Sequence, residues 1–128
     1  MRSHKDLDVW KEAMQLVKGV YRLSAILPRE ETYGLVAQMR RAAVSVPSNI
    51  AEGAARDSSK EFIQFLYVSL GSLSELETQL ILAKEIFSCD TSSLESSIER
   101  LRKMLIGLIK SLRKRGEGGE NFDQPSCS

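Results

Sequence analysis

Histidine is almost missing from this chain: His4 is the one example in 128 residues, and it lies in a terminal stretch expected to fray. A Ser–His–acid triad therefore has almost no candidate base. Cysteine is nearly as scarce, with Cys89 and Cys127 alone. Cys127 falls in a polar stretch near the C-terminus, so a structural disulfide is not expected. Two unpaired thiols fit a reducing compartment, and neither is assigned a role. His and Cys at these positions lack the spacing of a metal site, so no metal and no cofactor are expected. The glycines Gly34, Gly53 and Gly71 stand singly, which excludes a glycine-rich phosphate loop. Acids such as Glu75 and Glu77, two apart on a helix, point to different sides. These absences leave no catalytic constellation, and the chain is not expected to be an enzyme.

Long apolar runs are also lacking. The N-terminal Met1-Arg2-Ser3-His4-Lys5-Asp6 is not followed by the apolar core of a signal peptide. No stretch approaches the roughly 18 apolar residues of a membrane span. The expectation is a soluble, cytoplasmic protein with no membrane partner and no evident small-molecule substrate.

What is present suits one α-helical domain. The hydrophobic share is 42% and the charged share 27%, a globular balance, and 128 residues can bury one core without staples. Net charge is +1, but it is unevenly placed. Residues 1–56 sum to +3, residues 57–99 to −6, residues 100–115 to +7 and the last thirteen to −3. Such blocks suggest complementary packing between segments, or a basic face offered to an anionic partner.

Four helical patterns follow. The first, about Asp6 to Leu27, carries two adjacent stripes. One holds Leu7, Trp10, Met14, Val17, Tyr21 and Ser24; the other holds Val9, Ala13, Leu16, Val20, Leu23 and Leu27. Together they are wider than one bundle core consumes, which points to a closed homo-oligomer. The second pattern, about Thr32 to Arg56, has Leu35, Met39, Ala42, Val46 and Ile50 as its stripe and Pro47 inside it, so a kink or break is expected there. The third runs Phe62, Leu66, Ser69, Leu73, Leu76, Leu80, Ala83 and Phe87, and the fourth Leu94, Ile98, Leu101, Leu105, Leu108 and Leu112. Ser58 with Glu61 and Ser92 with Glu95 have capping-box spacing at their starts. Steps of 4 and 3 sustained this long imply shallow packing angles, and the short links make sequential helices antiparallel. Residues 1–115 are read as an all-α, up-down antiparallel four-helix bundle and residues 116–128 as a disordered tail.

On the second helix Gln38, Arg41, Ser45, Ser48, Asn49, Glu52 and Arg56 form a polar stripe. It reads as a solvated face, as a buried polar network, or as an anion-binding face carrying Arg40, Arg41 and Arg56. In the second reading Asn49 and Glu52 are structural and partly buried, and restore bonds for the Ala43 carbonyl that Pro47 leaves without a donor.

These residues also carry a resemblance. Tyr33-Gly34-Leu35, then Gln38, Arg40-Arg41-Ala42-Ala43 and Ser45-Val46-Pro47-Ser48-Asn49-Ile50-Ala51-Glu52-Gly53 strongly resemble the bacterial four-helix-bundle family whose founding members are encoded in intervening sequences of 23S ribosomal RNA genes. Leu7-Asp8-Val9-Trp10 upstream matches, as do Lys60-Glu61-Phe62, Phe65-Leu66 and Gly71-Ser72 with Glu75-Leu76-Glu77 and Gln79 downstream. The resemblance covers about residues 5–112. It implies an up-down bundle in a ring of five subunits, with Trp10, Tyr33, Gly34, Gln38, Ser45, Pro47, Ser48, Asn49, Glu52, Gly53 and Glu75 as structural motif residues. It also brings in relatives that are accessory proteins to reverse transcriptases in diversity-generating retroelements, where a basic surface is implicated in binding nucleic acid or the polymerase. No molecular function is established for the family as a whole.

Two functions are therefore expected in competition. One is a homo-oligomeric scaffold or binding module. The other is a nucleic-acid-binding accessory protein, with RNA, DNA or a reverse transcriptase as partner, using Arg40, Arg41, Arg56, Arg100, Arg102, Lys103, Lys110, Arg113, Lys114 and Arg115. The basic end of the fourth helix can instead pair with acids such as Glu75, Glu77 and Glu85.

Overall fold

The computed structural model describes residues 3–121, with side chains as far as residue 116. Four helices make up nearly all of it: α1 (Asp8–Ser24), α2 (Leu35–Ala54), α3 (Ser59–Phe87) and α4 (Ser92–Asn121). Single 3-10 turns precede α1 at His4–Asp6 and α2 at Arg29–Glu31. Each helix packs on its sequence neighbours, and α1 closes on α4. Among the described residues no Cα atom of a helix comes within 8 Å of one on the helix diagonal to it. This is the up-down square bundle that short connections enforce.

The core follows the expected stripes. Phe62, Leu66, Ser69, Leu73, Leu76, Leu80 and Ala83 of α3 are buried, as are Ile98, Leu101, Leu105 and Leu112 of α4. Of the stripe on the first pattern, Val9, Ala13, Leu16 and Val20 of α1 and Leu27 beyond its end turn inward, and Leu23 is half-buried. Its companion turns inward only at Ser24: Leu7, Trp10, Met14 and Val17 are half-buried and Tyr21 is exposed.

Several boundaries differ from the sequence reading. α1 begins two residues late because Ser3 caps a separate turn, its hydroxyl accepting from the Lys5 amide at 3.0 Å. Ser58 caps α3 as expected, accepting from the Glu61 amide at 3.2 Å. The start of α4 is organised one and two residues upstream of Ser92. The Asp90 carboxylate accepts from the Ser92 amide at 3.0 Å and from its hydroxyl at 2.7 Å, and the Thr91 hydroxyl donates to Glu95. α4 then continues to Asn121, six residues beyond the expected limit of 115. The rest of the expected tail, 122–128, lies outside the described residues.

Pro47 does not break α2, which is one helix from Leu35 to Ala54. Side chains tie the two carbonyls that precede it. Ser69 Oγ donates to the Val46 carbonyl at 2.9 Å, and Asn49 Nδ2 donates to the Ser45 carbonyl at 2.8 Å. Gly53 brings α2 against the start of α3: a Cβ there would sit 2.8 Å from both Phe62 Cδ1 and Phe65 Cβ, and 3.2 Å from the Phe62 carbonyl oxygen. The glycine, a weak point for the helix alone, is what permits this approach.

Candidate functional site

The outward stripe of α1 meets α2 to form an apolar groove. Trp10, Met14 and Val17 face Val44, Pro47, Ser48 and Ala51 around about 300 Å³. The groove continues past Tyr21, Ala37 and Val44 into a second hollow of about 390 Å³ beside Arg40 and Arg41. Arg40 is not free there. Its Nε donates to Ser24 Oγ at 2.8 Å and its Nη2 to the Tyr21 carbonyl at 3.4 Å, while the guanidinium lies 4.4 Å from the Tyr21 ring centre. It closes the C-terminal end of α1, where carbonyls lack helical partners and the dipole favours a cation. Helical spacing on α2 places Ala37, Val44 and Ala51 seven apart on one line, but their small side chains left that line outside the expected stripe.

The polar stripe of α2 divides. Its inner half is a network: Ser45 Oγ and Ser72 Oγ are 2.8 Å apart, and Asn49 Nδ2 also reaches Ser45 Oγ at 3.0 Å. Asn49 is half-buried, as expected, but it serves Ser45 rather than Ala43. Its outer half is solvated. Glu52 is exposed, not partly buried, and binds Arg56 at 2.7 Å one turn on. Arg56 in turn stacks 4.9 Å from the Phe65 ring centre. Gln38, Arg41 and Glu75 line a shallow groove of about 220 Å³ with Ser45 and Ser72. Of the remaining motif residues, Pro47 and Gly53 are buried and Gly34 precedes the first turn of α2. Tyr33 and Ser48 are on the outer surface. Inside α3, Gln79 is buried and its Oε1 has no partner among the described residues.

The seven cations of residues 100–115 also divide. Arg100 binds Glu12 of α1 at 2.8 Å. Arg102 spans Glu77 at 2.9 Å and Glu99 at 2.7 Å. Arg113 donates to the Tyr67 hydroxyl at 2.7 Å and covers its ring. Of the acids expected as examples of partners, Glu77 is paired within the chain, and Glu75 and Glu85 form no ion pair among the described residues. Lys103, Lys110, Lys114 and Arg115 are exposed and form no ion pair among the described residues. Offsets of 7 and 11 put the three lysines on one face of α4, a ridge about 16 Å long.

Two carboxyls at the start of α4 are displaced in pKa. Hydrogen bonds from the Ser92 hydroxyl and amide hold Asp90 below its ordinary value. The Thr91 hydroxyl, with help from Lys84 3.4 Å away, does the same for Glu95. Both stabilise the helix start. Among the described residues no group of three or more His, Cys, Asp or Glu could hold a metal ion, and no helix is long and apolar enough to cross a membrane.

Comparison with known proteins bears on this arrangement in three ways. No functionally curated protein matches the chain. A crystal structure of a protein of unknown function from the S23 ribosomal protein family of Bacteroides thetaiotaomicron VPI-5482 is similar, with TM-score 0.73 and 24% identity, over 80% of this chain and 98% of that one. It supports the fold. Residues 5–107 match the family model described as 23S rRNA-intervening sequence protein.

Proposed function

The chain belongs to the 23S rRNA-intervening sequence protein family, and from that premise we propose that it is a non-enzymatic binding module that works as a homo-oligomer. The observation that carries this reading is the apolar groove along α1 and α2. Trp10, Met14, Val17 and Val44 line it, at positions where a monomeric helix pair would present polar residues. Fully burying such a side chain from water stabilises by about 1.5–3 kcal/mol, and the half-buried ones have part of that still to gain, so a closed assembly that covers the groove is favoured over a monomer that leaves it wet. Five subunits, as the resemblance implies, is the assembly to test. Light scattering coupled to gel filtration should give a multiple of the 14.3 kDa protomer mass at micromolar concentration. A monomer under those conditions would remove the reading, whereas a stable dimer would remove only the ring.

A second reading rests on the α4 ridge. Lys103, Lys110 and Lys114 offer unpaired charge in a row, which suits a phosphate backbone and the accessory role of the retroelement relatives. Arg40, Arg56, Arg100, Arg102 and Arg113 already bond within the chain, so the three lysines are the first of the candidate cations to test. Binding to structured RNA or duplex DNA should weaken steeply with salt. Replacing the three lysines with Ala should lower affinity across all sequences and flatten the salt dependence. No binding to either nucleic acid at low salt would end this reading.

A further inference from the structure

The groove has a counterpart elsewhere on the same molecule. On α3, Val68, Leu82 and Ile86 are 50%, 42% and 62% exposed. With Glu75 they recur at steps of 7, 7 and 4, so all four share one face. That face adjoins the flank of α3 that meets α2, where Ser72 bonds Ser45. The opposite flank meets α4, where Glu77 bonds Arg102. Long exposed aliphatics in a row on a 29-residue helix are the kind of ridge that fills a groove between two helices.

The charges around the two surfaces are opposite. Lys11 and Lys18 flank Met14 at helical spacing and are exposed. Glu75 and Glu85 flank the α3 aliphatics and are exposed. None of the four has an ion-pair partner among the described residues. The imbalance extends to whole segments, +3 for residues 1–56 and −6 for residues 57–99. Two grooves meeting about a two-fold axis would place lysine rims against each other, which costs free energy. A groove receiving the α3 face brings lysines to glutamates instead.

We propose that the α1/α2 groove of one copy takes the α3 face of a second copy, so that the chain assembles head to tail through two different surfaces. This rests on the self-assembly reading above and adds the identity of the two surfaces. Around the square bundle the α1/α2 side and the outer α3 face are about 90–135° apart.

The test uses two variants at exposed positions. Val44→Glu spoils the groove with an acid facing an acidic ridge. The double substitution Leu82→Glu with Ile86→Glu spoils the α3 face. Each alone should run at the 14.3 kDa protomer mass, with wild-type helicity by circular dichroism. Mixed in equal amounts they should form a pair of twice that mass and nothing larger, because one intact groove and one intact α3 face remain. An α3 variant that assembles like wild type, or a mixture that stays at protomer mass, overturns head-to-tail docking while leaving self-assembly standing. A wild-type chain that is itself monomeric overturns the self-assembly reading. If either variant loses helicity, charge exchange decides. Lys11→Glu with Lys18→Glu, and separately Glu75→Lys with Glu85→Lys, should each weaken assembly severalfold, and mixing the two sets should restore it. Failure to restore assembly counts against the proposal.

Discussion

The α1/α2 groove and the α4 ridge are both more than the bundle needs, and they differ in how water treats them. The groove surrounds Trp10, Met14, Val17 and Val44 with few polar atoms, so exposure is unfavourable in proportion to area. The ridge of Lys103, Lys110 and Lys114 is exposed to solvent, and hydrated ammonium groups cost nothing by staying there. An apolar surplus calls for a cover, whereas a cationic surplus permits a partner without requiring one. This difference is why assembly ranks above nucleic-acid binding, and each part of it can be broken by substitution.

The largest expected effects separate the two stripes of α1. Leu16 is 3% exposed, and Leu16→Ala should lower unfolding free energy by about 2–5 kcal/mol, the usual range for a core truncation. Its loss should be present at every protein concentration. Met14→Ala, two residues away on the groove side, should cost under about 1 kcal/mol in dilute protein and should act mainly by reducing the concentration dependence of Tm. Equal, concentration-independent losses for the two would show that the groove is merely a shallow part of the core.

Next come the two halves of the α2 polar stripe. Asn49→Ala removes an amide that serves both the Ser45 carbonyl and hydroxyl, and about 1–3 kcal/mol should be lost. Glu52→Ala removes an exposed pair with Arg56, worth about 0–1 kcal/mol. Chemical denaturation of both variants checks the order. A larger loss for Glu52 would restore the buried-network reading for that residue.

The stripe also shows what periodicity could and could not reveal. Steps of 3 and 4 identified most of the buried residues of α3 and α4, because a square bundle gives each helix one inward face; they missed Ser72, Gln79 and Ile109, while Phe87, Leu94 and Leu108 are only half-buried. Two stripes on α1 announced an excess, but spacing alone does not say which turns inward. That depends on where α2 and α4 approach: Arg40 of α2 binds beside Tyr21, and Arg100 of α4 binds Glu12 on the other flank. The α2 wall of the groove was illegible because Ala37 and Ala51 carry little apolar weight. Pro47 leaves α2 unbroken, and beside it Ser69 of α3 bonds the Val46 carbonyl, a tertiary tie that no local pattern announces. On the basic segment, charge counting could not separate Arg102, held by Glu77 and Glu99, from Lys103 beside it. Which side of α4 a residue occupies decides that, and it requires knowing where α3 lies.

Smaller effects are expected on the ridge. Replacing Lys103, Lys110 and Lys114 together with Ala should leave stability within about 0.5 kcal/mol per site, since none forms an ion pair among the described residues. Thermal denaturation gives the check. A loss of several kcal/mol would mean that these lysines hold the assembly together, and the contrast between groove and ridge would fall.

The smallest expected effect lies at the start of α4, where the ridge helix is anchored. Asp90 and Glu95 both have folded pKa values below the ordinary 3.8 and 4.5. A carboxyl with a lowered folded pKa binds its proton less readily in the native state than in the unfolded chain. Its contribution to stability is therefore fully present above the ordinary value and declines as pH falls through the folded value. Between about pH 5 and pH 3 the protein should lose stability on this account. Thr91→Val removes the hydroxyl that contributes most to the Glu95 shift, and Asp90→Asn removes the carboxylate that accepts from Ser92. The double variant should have a lower Tm at neutral pH and a flatter decline toward pH 3, so its curve approaches that of wild type as acid is added. Because Asp90 is exposed and Glu95 is only partly buried, the difference should be a modest fraction of the Leu16→Ala loss. A decline parallel to wild type throughout would show that Asp90 and Glu95 carry none of the acid sensitivity.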